Sequence, residues 1–203
     1  DERPMEVMQK TLQVIRKADP EFKVSLAGNF HKELEADIYD YCIPIGASYP
    51  AEVLARRAQN NLPTTYYTCC TEAFPNTFTF SDPAEAAWMS YYSAKDHLDG
   101  YLRWAYNSWP KEPLLDSRFE AWAGGDTYLV YPGARSSIRF EKLIEGVQAH
   151  EKITILRKEF TDKKNKTGFK KLEKMLSTFN LRDFPEVPAA ETVNKANKIL
   201  NSL

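Results

Sequence analysis

The sequence predicts an α/β fold: the C-terminal half of a (β/α)8 TIM-type barrel with parallel strands over residues 1–160, followed by a short helical tail over 161–203. Three observations predict it. Segments of helical period alternate with short β-branched and aromatic runs, the order expected of parallel strands joined by helices. Only four complete strands fit ahead of residue 160, with the end of a fifth implied before the first helix, whereas a complete barrel takes about 250 residues. Beyond residue 160 the strand-like runs stop, and short amphipathic helices take over.

Each element has its own signal. Pro4 occupies a favoured first-turn position, and MEVMQKTLQVIRKA sets Met5, Met8, Leu12 and Ile15 on one face of a helix that Asp19-Pro20 ends. FKVSLAG alternates Phe22, Val24 and Leu26, and IYDYCIPI is an apolar run; both read as buried strands, with a loop or short helix, NFHKELEAD, between them. Pro50 opens a helix over AEVLARRAQNN, and TTYYTCC is the third strand. Asp82-Pro83-Ala84-Glu85 has the form of a capping box, so a helix should run through AEAAWMSYYSAKDHL until Asp99-Gly100. Its Trp88, Tyr91 and Tyr92 read as core. YLRWAYNSW is the fourth strand, a long Pro/Gly loop follows, YLVYPG is a short extended piece, and Ser136-Ser137 caps a long helix. In the tail, KKNKTG reads as a linker. Phe169, Leu172, Met175 and Phe179 form one apolar stripe, and Val193, Ala196 and Leu200 another, on helices separated by FPEVP.

Composition narrows the function. With 43% hydrophobic and 13% aromatic residues the chain can bury a sizeable core. A net charge of -1 supplies no field for a polyanion, so neither nucleic acid nor an acidic membrane surface is an expected partner; the tail lysines are interleaved with acids, as on a solvated helical face. Cys42, Cys69 and Cys70 imply no disulfide framework, and His31, His97 and His150 lie far from the Cys-Cys pair, so no metal site is expected. No apolar run approaches the roughly 20 residues of a membrane span. Thiol chemistry at Cys69-Cys70 lacks the nearby base or cation it needs.

In α/β barrels reactive groups sit at the C-terminal ends of strands. Asp1 and Glu2 immediately precede a helix, so they read either as a solvated terminus or, with a strand upstream, as part of that rim. TTYYTCC would deliver Tyr66, Tyr67 and Cys69 there, and LRWAYNSW would deliver Trp104, Tyr106, Asn107 and Trp109. Carboxylates beside tryptophans and tyrosines suit a sugar, whose C–H faces stack on rings while its hydroxyls and amides need polar partners.

The blocks YYTCCTEAFPNTF, DGYLRWAYNSW, GGDTYLVYPG and SSIRFEKLIEG resemble, in order and spacing, the catalytic domain of glycoside hydrolase family 123, a group that includes β-N-acetylgalactosaminidases. The similarity extends from Asp1 to about residue 157. Family members carry an adjacent Asp-Glu at the end of the fourth barrel strand, and DERP is similar to that motif. The resemblance therefore implies that the chain begins at the catalytic pair, with the first half of the barrel missing.

It further implies substrate-assisted retaining hydrolysis of a terminal β-N-acetylhexosaminide, an N-acetylgalactosaminide foremost, without metal or cofactor. Asp1 would orient the acetamido group and stabilise the cationic oxazolinium that forms, while Glu2 protonates the leaving oxygen and then activates water. By position, Tyr67 is the candidate for a hydroxyl reaching the acetamido carbonyl, Trp104 and Trp109 wall the sugar, and Asn107 bonds a hydroxyl; Tyr66 or Tyr106 could replace one of them. The resemblance implies secretion or a periplasmic site for the parent. The rival expectation is a truncated or diverged segment that binds glycan or serves as a structural module. A half-barrel exposes two strand edges, and self-association through those edges is the expected remedy.

Overall fold

The computed structural model describes residues 4–183 and 186–203. They form two compact units, one of residues 4–67 with 98–102 and the other of residues 68–97 with 103–183 and 186–203.

The first unit is a four-stranded, wholly parallel sheet: β1 (Ser25–Ala27), β2 (Asp40–Pro44), β3 (Thr64–Tyr67) and β4 (Gly100–Leu102), in that spatial order. Register is set by Ser25 opposite Asp40, Tyr41 opposite Thr64, and Thr65 opposite Gly100. Helix α1 (Met5–Ala18) precedes the sheet with the bounds its periodicity predicts, and α2 (Ala51–Gln59) links β2 to β3. The NFHKELEAD segment holds a single 3-10 turn, Glu35–Asp37. Leu12, Leu34, Ile38, Cys42, Ile43 and Tyr66 lie in the core. Tyr41, Tyr49 and Phe30 form an aromatic triangle with ring centroids 5.5–5.9 Å apart, and the Tyr49 hydroxyl donates to the Tyr41 carbonyl at 2.8 Å.

Arg57, fully buried on α2, fastens this unit. Its guanidinium donates to Glu35 Oε1 (3.3 Å) and to the carbonyls of Ile38 (3.1 Å), Tyr39 (2.8 Å) and Pro63 (2.8 Å). One planar fork thus satisfies carbonyls from the segments entering both β2 and β3, sharing Pro63 O with Tyr41 N (3.1 Å).

The second unit is built on α3 (Ala84–Lys95), α4 (Ile138–Asp162), α5 (Lys166–Leu176) and α6 (Ala189–Leu200), which complete the six α-helices among the described residues. Eleven of the twelve residues of α3 are buried, Trp88, Tyr91 and Tyr92 included. The capping box forms as its sequence predicts: Asp82 Oδ1 accepts from Ala84 N at 2.9 Å, and Glu85 Oε1 accepts from Asp82 N at 3.2 Å. Ser137 caps α4 by accepting from Phe140 N at 3.1 Å. Gly146 lets α4 approach α3 closely, since a Cβ there would stand 2.9 Å from Ala87 Cα. The tail covers α3: Phe179 stacks on Tyr91 with centroids 4.5 Å apart, the Tyr91 hydroxyl donates to Asn197, and Arg157 bridges the Ala94 carbonyl (2.8 Å) and Glu173 (2.7 Å).

Five local expectations change. The fourth strand ends at Leu102, and the chain from Arg103 onward leaves the sheet. There Arg103 is drawn to Asp126, and Asn107 forms an isolated antiparallel bridge with Tyr128, a pairing that local periodicity does not encode. The third strand stops at Tyr67, so Cys69 is half-buried and Cys70 exposed rather than at a buried strand end. Phe22 precedes β1 and is exposed. KKNKTG is no linker: 163–165 form a tight turn, Asn165 caps α5 by accepting from Gly168 N at 2.9 Å, and 166–168 already belong to that helix, while Phe169 falls off the buried stripe to lie 37% exposed.

Replacing Arg57 by Leu removes the side-chain donor to the Ile38 and Tyr39 carbonyls, leaves Pro63 O with Tyr41 N, and removes one partner of Glu35; it should cost about 2–4 kcal/mol. The urea midpoint should drop accordingly, while Arg57→Lys, with one ammonium for four acceptors, recovers only part of the loss.

Candidate functional site

Asp1 and Glu2 lie outside the described residues. Tyr67 is the last residue of β3, half-buried, in the first unit. Trp104, Asn107 and Trp109 lie in the second unit, on the loop that follows β4.

That loop is held by the segment 125–130. Ser108 N donates to Thr127 O (3.0 Å), Leu129 N to Tyr106 O (2.8 Å), and the Thr127 hydroxyl to Ser108 O (2.6 Å). Trp109 fixes its indole by donating Nε1–H to the Val130 carbonyl at 2.7 Å. Asn107 joins the bridge through its backbone, which leaves its side chain in solvent.

Trp104 stands differently. Its indole Nε1–H donates to Asp126 Oδ1 at 3.2 Å, and its ring faces Trp122, centroids 5.6 Å apart at 48°. Both rings are exposed over two-fifths or more of their surface, 47% and 41%. Beneath them Asp126 is fully buried, and Arg103 Nη2 donates to Asp126 Oδ1 (3.2 Å), to the Asp126 backbone carbonyl, and more weakly to Gly125 O (3.5 Å). Asp126 Oδ2 and Arg103 Nε and Nη1 have no hydrogen-bond partner among the described residues. Solvent-facing tryptophans, one of them oriented by a buried ion pair, have the aromatic character of a surface on which a sugar's C–H face can stack.

Two glycines make this possible. At Gly125, with φ +78°, a Cβ would lie 2.6 Å from Arg139 Nη1 and 2.8 Å from Thr79 Cγ2; at Gly124 it would lie 2.7 Å from Ser117 Oγ. The bare backbone therefore runs close enough for Gly125 O to accept from Arg139 at 2.9 Å. Asp126, Arg103 and Trp122 were absent from the sequence-based candidates. The Gly-Gly-Asp tripeptide was the available signal, since paired glycines before an acid mark a close backbone approach.

The loop after β3 is knit from acids. Glu72 accepts from Cys69 N at 2.6 Å and, through its carbonyl, from the Asn76 amide. Glu85, 6% exposed, accepts from Asn76 N at 2.7 Å as well as from Asp82 N, and burial pushes its carboxyl up to about 7. Desolvation, then Cys69 and Asp126, push the Cys70 thiol up, so it is less a thiolate near neutral pH than a free cysteine and poorly suited to nucleophilic chemistry. No cluster of three or more His, Cys, Asp or Glu able to hold a metal ion occurs among the described residues.

The model of the glycoside hydrolase 123 catalytic domain matches residues 1–156. The chain belongs to this family. Among solved structures it is similar to a family 123 glycoside hydrolase from Clostridium perfringens, described in connection with glycolipid glycan hydrolysis, at 25% identity and a TM-score of 0.77. The alignment covers 98% of this chain but only 39% of that one, so the chain spans well under half of its solved relative. No curated protein matches it. Of the four sequence blocks that carry the family likeness, GGDTYLVYPG contributes Asp126, and DGYLRWAYNSW contributes Arg103 and Trp104. Two blocks far apart in sequence thus meet in one hydrogen-bonded cluster.

The raised Glu85 carboxyl makes stability depend on pH. In the unfolded chain it ionises near 4.5, in the folded chain near 7, so between these values unfolding releases a proton and stability falls as pH rises. The fall should be on the order of 3 kcal/mol between about pH 5 and about pH 8. Urea midpoints across that range should decline for the parent chain and lose that component of the decline in Glu85→Gln.

Proposed function

We propose that this chain is the site-bearing part of a glycoside hydrolase that cleaves terminal β-N-acetylhexosaminides, N-acetylgalactosaminides foremost, by substrate-assisted retaining catalysis. The observation that carries this reading is the family match over residues 1–156. The exposed Trp104–Trp122 pair above buried Asp126 supports it by supplying the aromatic platform such a substrate needs.

In this mechanism the acetamido oxygen of the sugar attacks its own anomeric carbon, and the leaving oxygen takes a proton from Glu2. Asp1, ionised, holds the acetamido N–H and offsets the positive charge of the oxazolinium. That negative neighbour also favours the protonated form of Glu2, as its role as acid requires. Glu2, now a carboxylate, then draws a proton from water as the water opens the oxazolinium, which returns the anomeric centre to its starting configuration. Tyr67 donates to the acetamido carbonyl, Trp104 and Trp109 wall the ring, and Asn107, whose side chain is solvent-facing, bonds a hydroxyl. In this reading the four parallel strands are half of an eight-stranded barrel, and the parent enzyme is exported. A glycan carried on lipid is a natural substrate class, given the glycolipid context of the Clostridium perfringens relative.

A second reading has one observation in its favour. β1 and β4 each pair with a single neighbour in the sheet, so two strand edges are unpaired by any named strand among the described residues. A segment in that condition can act as a glycan-binding or structural module, or self-associate, without turnover.

The experiments are kinetic. In a full-length enzyme carrying this segment, Glu2→Gln should lower turnover of an alkyl β-N-acetylgalactosaminide by about a hundredfold or more and affect a nitrophenyl leaving group far less; unchanged turnover of the alkyl glycoside would remove Glu2 from the acid role. Trp104→Ala should raise KM about tenfold through lost stacking, with a smaller effect on kcat. The isolated chain, assayed beside the longer one, should be inactive under the second reading.

A further inference from the structure

The net charge of -1 conceals an uneven distribution. Around the turn joining α4 to α5 the acids are already engaged: Glu159 with Lys163 (2.6 Å), Asp162 with Lys158 (2.9 Å) and Glu173 with Arg157 (2.7 Å). Lys164, Lys166 and Lys170 have no acidic partner among the described residues. These three lysines line a groove of about 380 Å³ together with Phe160 and Phe169. Phe160 is buried at its base, 6% exposed, and Phe169 is 37% exposed at its lip.

The turn is built to keep this shape. Asn165 N donates to Phe160 O (2.8 Å), Phe169 N donates to Asn165 O (3.0 Å), and the Asn165 side chain caps α5 at Gly168 N. Gly168 has no Cβ because one would stand 3.0 Å from Phe160 Cζ, so the glycine lets the ring sit directly under the helix.

We propose that this turn is a docking surface for an anionic lipid bilayer, with Lys164, Lys166 and Lys170 engaging phosphate and carboxylate headgroups and Phe169 entering the acyl boundary. Charge complementarity and the apolar base together select this occupant. A bilayer interface offers anionic oxygens and hydrocarbon within a few ångströms of each other. An extended polyanion has no use for a phenylalanine-lined base. The expectation drawn from net charge alone is thereby reversed, because pairing removes the acids from this face and leaves the lysines. The inference does not rest on the proposed glycosidase activity, and neither test depends on the other.

The test is co-sedimentation of the full 203-residue chain with vesicles of three parts phosphatidylcholine to one part phosphatidylserine, beside vesicles of phosphatidylcholine alone. Binding is expected to the mixed vesicles only, and to be abolished by about 1 M salt. Converting Lys164, Lys166 and Lys170 to Gln together should weaken partitioning roughly a hundredfold, about fivefold per lysine. Removing the same charge at Lys17, Lys32 and Lys111 should leave it nearly intact. Phe169→Ser should weaken binding with the salt dependence unchanged. Far-UV circular dichroism shows that each variant is folded. Equal affinity for neutral vesicles, an equal loss in the control triple, or binding of duplex DNA through the same three lysines as tightly as the mixed vesicles would overturn the proposal.

Discussion

A helix with no solvent face governs the second unit. AEAAWMSYYSAK offers no polar stripe, so α3 must be covered nearly all round. Its small residues and its large ones answer that requirement in different ways. Ala87 and Ser90 allow the backbone of α4 to close in at Gly146, where nothing larger than hydrogen fits without a shift. Trp88, Tyr91 and Tyr92 instead present broad rings that Phe74 and Phe179 cover, the Trp88–Tyr92 pair itself stacking at 15°. At its first turn Glu85 holds both the cap and the incoming loop, so the covering of α3 and the placement of residues 69–76 are one problem with one solution.

The candidate site inherits its rigidity from a comparable economy of groups. Asp126 receives the indole of Trp104 and the guanidinium of Arg103 on the same oxygen, so an exposed ring is oriented by a buried charge. Orientation of this kind matters for sugar recognition, which needs the ring held within roughly 10–20° of its productive geometry. The uncommitted atoms of the pair, Nε and Nη1 of Arg103 and Oδ2 of Asp126, are themselves buried, so the pair acts on the surface only through the indole it orients.

How far the sequence disclosed this can be judged from particular residues. The bounds of α1, the parallel order of the four strands and the capping box at Asp82 were legible because each rests on local period or cap chemistry. The true end of β4 was not legible: Arg103 departs from the sheet for a partner 23 positions away, and nothing in YLRWAYNSW announces it. The polar run KKNKTG looked like a linker because composition is blind to a single asparagine cap. For the candidate site, Trp104 could be named from its residue type and its place after the fourth strand, whereas Asp126 and Arg103 stand out only through burial and mutual contact. Trp122 was hidden inside a loop that periodicity cannot order.

The family match stops at residue 156, but packing does not. Arg157 reaches the end of α3, Phe179 lies flat on Tyr91, and α6 delivers Asn197 to the same tyrosine and to Glu145. A protein trimmed to the homologous region would lay bare a sheet of aromatic surface that evolved to be indoors. Such a trimmed chain would be sticky and prone to aggregate, and its failure in an assay would report on a missing roof rather than on a missing catalyst.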